Sequence, residues 1–192
     1  MTLAATEPRV RASHIWPRDD ADWYIEPVWT AKRLFDVELF VGAIHDPAAG
    51  MGRIVEAARA HGYEATGADI VDRGYGLTVE DFALATTPVT NIVTNPPFAL
   101  ARQFTEQALR LATRKVAVLF PVARLNAARW LRDTPLKRIL LLTPRPSLPP
   151  AETILRGERP GGGKTDFCWL VFEQGHEDEP RMSWLHRDRG PE

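Results

Sequence analysis

Short β-forming runs alternate with helix-periodic segments through most of this chain, and few architectures accept that pattern. Residues 41–44, 65–71, 91–94, 115–120, 138–142 and 167–172 read as strands. Ahead of the first, Ala31, Leu34, Phe35 and Leu39 follow helical spacing, with Thr30 as the expected N-cap. Met51, Ile54, Val55 and Ala58 share a helix face that Gly62 closes, and Ala101, Phe104, Ala108 and Leu111 share another. Residues 123–131 also read as helix. Pro96-Pro97 stops the third strand, because proline cannot donate to a central ladder. This rhythm predicts an α/β fold around a mostly parallel sheet.

A chain of 192 residues, 44% hydrophobic and 26% charged, predicts one globular domain. The longest apolar run, residues 116–123, is far short of the roughly 20 residues that span a bilayer. No basic-then-apolar segment opens the chain, and its lone Cys168 allows no internal disulfide. The expectation is a soluble, cytoplasmic protein without membrane partners. Residues 1–22 lack a period and read as an irregular arm that Trp16 and Trp23 pin down. The main domain is expected over residues 23–172, with residues 144–166 a long loop of 5 prolines and 4 glycines. Residues 173–192 read as a charged tail.

The net charge of −1 conceals an asymmetry. Residues 101–145 hold 10 Lys/Arg against 2 Asp/Glu, whereas residues 1–100 hold 8 against 14. This basic third of the chain is either a phosphate-facing strip or a set of solvated helix faces.

Chemistry concentrates at strand ends. Asp46-Pro47-Ala48-Ala49-Gly50-Met51-Gly52 follows the first strand, where its glycines permit either a simple positive-φ turn or close approach to a ligand. Asp69 closes the second strand, placed to accept ribose hydroxyls. The full G-x-G-x-x-G dinucleotide fingerprint is absent, and Asp46 suits a cationic ligand better than a pyrophosphate. Asn95-Pro96-Pro97-Phe98 follows the third strand.

Together, D-P-A-A-G-M-G and N-P-P-F resemble the class I S-adenosylmethionine-dependent methyltransferases, in the amino-methylating branch that includes DNA N6-adenine enzymes. The resemblance covers about residues 23–172. It implies a Rossmann-like sheet with helices on both faces and an antiparallel last strand. Asn95, Pro96, Pro97 and Phe98 match the family's [DNS]-P-P-[YFW] catalytic motif at all four positions. It further implies that Asp46, Pro47, Gly50 and Gly52 contact the methionine end of the cofactor, that Asp69 holds its ribose, and that Asp81 and Phe82 flank its adenine. Trp23-Tyr24-Ile25-Glu26-Pro27 is similar to a Tyr-x-Thr-Pro stretch that closes over the cofactor, so Tyr24 and Pro27 join the cofactor-binding set together with Asn95, and Glu26 stands in place of threonine.

The chemistry of the motif is intelligible from its residues. A ring-conjugated amine is a weak nucleophile because its lone pair is delocalised. The Asn95 side-chain oxygen and the Pro96 carbonyl can accept from its N–H groups and favour the localised lone pair. Phe98 is expected to stack on a base removed from its helix. No metal or covalent nucleophile is needed.

Other features read as structural. Gly161-Gly162-Gly163-Lys164-Thr165 lacks the leading glycine of a P-loop, because Glu158 stands there, and a strand follows it instead of preceding it. Cys168, Trp130 and Trp169 read as packing residues, and His45 as a locally satisfied histidine. The favoured substrate is DNA adenine, ahead of RNA and then a protein glutamine amide. A chain this short has no room for a separate target-recognition domain, which leaves open a partner subunit or a silent cofactor-binding module.

Overall fold

The computed structural model describes residues 23–159 and 161–188; the expected arm at residues 1–22 lies outside the described residues. Eight strands form one sheet: β1 (Ile44–Asp46), β2 (Ala65–Asp69), β3 (Thr78–Val79), β4 (Val89–Thr94), β5 (Ala112–Pro121), β6 (Leu136–Thr143), β7 (Phe167–Glu173) and β8 (Arg181–His186). Their spatial order is β3-β2-β1-β4-β5-β7-β6-β8. Every pairing is parallel except the two that β7 makes, with β5 and with β6. The mostly parallel sheet is therefore present, and the antiparallel strand expected to be last is β7, which a further strand, β8, follows and pairs parallel with β6.

Alternation along the central strands divides the core in two. Val93, Ala117, Leu119, Trp169 and Val171 pack beneath α1 (Val28–Val37) and α2 (Arg53–Ala60). Ile92, Val116, Val118, Phe120, Leu170 and Phe172 face α3 (Ala101–Leu111) on the other side. Trp169, wholly buried, donates through Nε1 to the Thr30 carbonyl at 3.0 Å and ties β7 to α1.

Several local expectations change. Thr30 does not cap α1: Pro27 does, and the buried Thr30 hydroxyl donates back to the Pro27 carbonyl at 2.8 Å. β1 starts at Ile44, because Gly42 turns the chain at φ 92 and leaves Val41 exposed. Residues 122–133 form two 3-10 turns, Val122–Ala127 and Arg129–Asp133, instead of an α-helix. Their apolar positions Val122, Leu125, Ala128 and Leu131 recur every third residue, the 3-10 period, and all pack on the α3 face. The charged tail contains β8, whose Leu185 enters the core. Glu173 likewise belongs to β7, where its carboxylate accepts from Lys137 and is held below the ordinary range. The loop 144–166 carries a short helix, α4 (Ala151–Leu155).

The basic segment 101–145 is not one strip. Lys115, Lys137 and Arg138 lie near the starts of β5 and β6, neutralised by Glu38 and Glu173. Arg102, Arg124 and Arg145 follow the ends of β4, β5 and β6 and are exposed. Among the described residues, no helix is long and apolar enough to cross a membrane.

Candidate active site

Parallel pairing aligns the carboxyl ends of β2, β1 and β4, so Asp69, Asp46 and Thr94, each the last residue of its strand, share one edge. A cavity of about 330 Å³ opens there. Of the residues singled out in the sequence, Tyr24, Asp46, Pro47, Gly50, Asp69, Asp81, Phe82, Asn95 and Pro97 line it. Pro27, Gly52, Pro96 and Phe98 do not.

The turn after β1 is built around carboxylates. Asp46 Oδ1 accepts from the Ala48 amide at 3.2 Å, and Asp69 Oδ2 accepts from the Gly50 amide at 2.9 Å. Gly50 has φ 52, and a Cβ there would fall 2.8 Å from Trp23 Nε1, so glycine is required twice over. Gly52 begins α2 at φ 76 and so serves the turn rather than the cavity wall. Asp69 Oδ1 accepts from the Val71 amide and from Arg73 Nε, and Arg73 lies 3.7 Å over the Trp23 ring. His45 pairs with Thr66 at 3.0 Å, burial lowers its pKa, and it stays off the cavity wall.

Asp46 is 1% exposed, and burial pushes its carboxyl up to about 8, helped by the nearby Glu26 and Asp69 charges and opposed by the Ala48 amide. Its Oδ2 and the Thr94 Oγ1 are buried without a hydrogen-bond partner. An orphaned carboxyl oxygen beside two further carboxylates calls for a cationic donor.

Across the cavity, Asp81 Oδ1 caps the 3-10 turn Phe82–Leu84 by accepting from the Ala83 amide at 3.0 Å. The buried Gln107 of α3 donates to the Phe82 and Ala85 carbonyls at 3.1 and 2.8 Å and holds that turn against the helix. The Phe82 ring packs 5.2 Å from Phe104.

A strap closes the remaining side. Ile25 donates to the Pro149 carbonyl and Ala151 to the Trp23 carbonyl, at 3.0 and 3.1 Å, so residues 23–25 pair with the head of α4. Arg53 Nη1 donates to the Glu26 carbonyl at 2.9 Å. Asn95 Nδ2 donates to the Tyr24 carbonyl at 3.0 Å and to Glu26 Oε2 at 2.9 Å. Both amide hydrogens are thereby committed, and Asn95 Oδ1 is buried with no partner. Phe98 packs its ring between Tyr24, at 5.9 Å and 13° from parallel, and Phe167, at 5.3 Å. The ring thus faces its neighbours and not the cavity, unlike the expected base-stacking position.

The sequence reading missed Glu26 as a site residue, and Arg53, Arg73, Gln103, Phe104 and Gln107 with it. For α3 a signal existed: Gln103 and Gln107 are one helical turn apart, and Gln107 is a polar group at a core-facing position. The Arg73 and Glu26 contacts cross elements and leave no spacing to read.

No family model matches the sequence, and no curated protein matches it either. Solved structures do. One is a predicted O-methyltransferase, Atu636, from Agrobacterium tumefaciens, at 13% identity over 83% of this chain and 85% of that one, with a TM-score of 0.54. A second is the magnesium protoporphyrin IX methyltransferase of Synechocystis PCC 6803 with bound SAM, at 15% identity, 77% and 78% coverage and a TM-score of 0.52. A third is the M protein of the type I restriction enzyme EcoKI, at 16% identity over 86% of this chain, with a TM-score of 0.54. This chain spans 49% of that protein's length. The shared property is the fold, the Rossmann-like architecture of S-adenosylmethionine-dependent methyltransferases.

Proposed function

We propose that this chain is an S-adenosylmethionine-dependent N-methyltransferase acting on an exocyclic amine of nucleic acid, with adenine N6 in DNA as the leading substrate. The observation that carries the reading is the state of Asn95. Its amide hydrogens are held by Tyr24 and Glu26, which leaves Oδ1 as a buried acceptor in need of an N–H. Within N-P-P-F at a strand end, that need is met by a substrate amine.

The cavity suits the cofactor's chemistry. Asp46 Oδ2 is an orphaned acceptor for an ammonium group, Gly50 lies in the cavity wall, and Asp69 has acceptor capacity for hydroxyls. Asp81 and Phe82, on the opposite wall, would border the adenine. When bound, S-adenosylmethionine supplies an electrophilic methyl group. The chain's own task is then to orient and polarise the amine. Asn95 Oδ1 and the Pro96 carbonyl would accept from its two N–H groups and favour a localised lone pair. Oδ1 is shielded from solvent, so a donor that reaches it must part the surrounding wall, and water is excluded as it does. Arg102, Arg124 and Arg145 lie exposed beyond the same strand ends, and to meet a phosphate backbone they would exchange their present partners, Glu106, the Phe98 carbonyl and Asp166.

The test is methyl transfer from labelled S-adenosylmethionine to unmethylated duplex DNA, single-stranded DNA, rRNA and a protein extract, followed by mass spectrometry of the digested product. N6-methyladenine in DNA is expected, with Asn95→Ala slower by about 10²–10³-fold while cofactor binding persists. Label in rRNA or in protein glutamine would reassign the substrate. Cofactor binding without transfer to any acceptor would favour a silent or partner-dependent module.

A further inference from the structure

We infer that Glu26 is a positioning residue for the reaction: its carboxylate fixes the orientation of the Asn95 amide and raises the electron density on Oδ1. The inference rests on the reading above of Asn95 as the acceptor for the substrate amine. Amide orientation is a two-way choice, and here the surroundings decide it. Nδ2 stands 3.0 Å from the Tyr24 carbonyl and 2.9 Å from Glu26 Oε2, both acceptors. The flipped amide would place its oxygen against a carbonyl and a carboxylate and its hydrogens where Oδ1 now lies. An NH₂ group there would repel the N–H groups of an incoming amine.

Tyr24 alone supplies a neutral acceptor. Glu26 adds a charged one, and hydrogen bonds to a charged partner are roughly twice as strong as neutral ones. An anion accepting from Nδ2 also polarises the amide toward its N⁺=C–O⁻ form, so Oδ1 becomes a better acceptor for the second bond in the chain. The site invests in this contact. Glu26 is 7% exposed, and burial raises its pKa against the opposing Asn95 hydrogen bond and Arg53 charge, with Arg53 Nη1 donating to the Glu26 carbonyl at 2.9 Å. Replacing a buried ionic group by an apolar side chain of similar volume is often neutral or stabilising, so the burial of Glu26 points to a use other than stability. Its use is to orient. Residues 24 and 26 reach Asn95 from the strap that pairs with residues 149–151, so the amide is set only when the strap is in place.

The experiment uses the full chain as wild type, Glu26→Leu, Glu26→Gln, Asn95→Ala and the Glu26→Leu/Asn95→Ala double variant. Glu26→Thr serves if Glu26→Leu does not fold, because its hydroxyl is too short to span to Asn95. The first readout is the Asn95 side-chain NH₂ resonance, identified by its loss in Asn95→Ala. In Glu26→Leu it should shift upfield and exchange with solvent at least about tenfold faster, with Glu26→Gln in between. An unmoved resonance overturns the inference whatever the activity. The second readout is methyl transfer to unmethylated duplex DNA and to rRNA. Glu26→Leu should lower kcat by about 10- to 100-fold with KM for nucleic acid within about threefold, while Glu26→Gln stays within about fivefold of wild type. The double variant should be no slower than Asn95→Ala, because the two residues act as one unit. Multiplying losses in the double variant overturn the positioning role. A fully active Asn95→Ala would instead sink the proposed function, and the resonance would still decide whether Glu26 orients the amide.

Discussion

Replacing Asp46 with asparagine should stabilise the ligand-free protein at neutral pH while impairing cofactor binding. The Asp46 carboxyl is buried at 1% exposure and titrates near 8 in the fold, against 3.8 in an ordinary environment. A carboxyl with a raised folded-state pKa holds a proton that the unfolded chain gives up. Its contribution to stability is therefore full below pH 3.8 and is lost progressively as pH rises toward 8. At pH 7 that proton uptake costs about 4 kcal/mol, and at pH 5 about 1.5, from roughly 1.4 kcal/mol per unit of difference. Asparagine takes up no proton, can accept from the Ala48 amide as Oδ1 does, and sits beside the Thr94 hydroxyl that lacks a partner. Urea unfolding from pH 5 to pH 7.5 reads the difference directly. Wild type should lose about 1.4 kcal/mol per pH unit more than Asp46→Asn across that range. Parallel pH profiles for the two proteins would refute the assignment of a raised pKa to Asp46. The same titration links to the ligand: cofactor should bind wild type more tightly as pH rises toward 8, and at pH 6 should release a proton, measurable by calorimetry in buffers of different ionisation enthalpy.

Gly50→Ala should cost about 1–2 kcal/mol in urea unfolding, because φ 52 is strained for alanine and its Cβ would press on Trp23 Nε1; unchanged stability would contradict the tight turn. Gln107→Leu should destabilise by about 1–3 kcal/mol, since it strips the donor from the Phe82 and Ala85 carbonyls, and should weaken cofactor binding through the displaced Asp81–Phe82 turn. Cys168, pushed up to about 12 by burial, should ignore a thiol reagent at pH 8 until the chain is unfolded; prompt labelling of the native protein would show that β7 opens far more readily than its packing implies.

The sheet was legible because burial imposes it on the residues. Strands β5 and β7 are closed on both faces, so they read as short continuous apolar runs, while β4 shows only Ile92-Val93 and is marked by Pro96-Pro97 beyond its carboxyl end. β8 was not legible for a related reason: it is an edge strand with Met182 and Trp184 at 58% and 64% exposure, flanked by charges, and only Leu185 faces the core. The segment 122–133 misled by one number. Apolar positions three apart sit within the tolerance of an α-helical stripe, yet a strict spacing of three is what a 3-10 turn presents.

At the site, sequence order carried those residues whose role depends on a strand end or a tight turn: Asp46, Gly50, Asp69 and Asn95 are placed by the sheet itself. What order could not carry is the contact between Glu26 and Asn95, 69 residues apart, because nothing local distinguishes a carboxylate that orients an amide from one that is solvated. Within the motif, Glu26 is a departure from threonine. The geometry turns that departure into a second determinant of the same chemistry, since a carboxylate reaches Nδ2 and carries charge. The amide of an N-P-P-F asparagine has two faces, and its chemistry depends on which one meets the substrate. In this chain that choice is written in the strap and not in the motif.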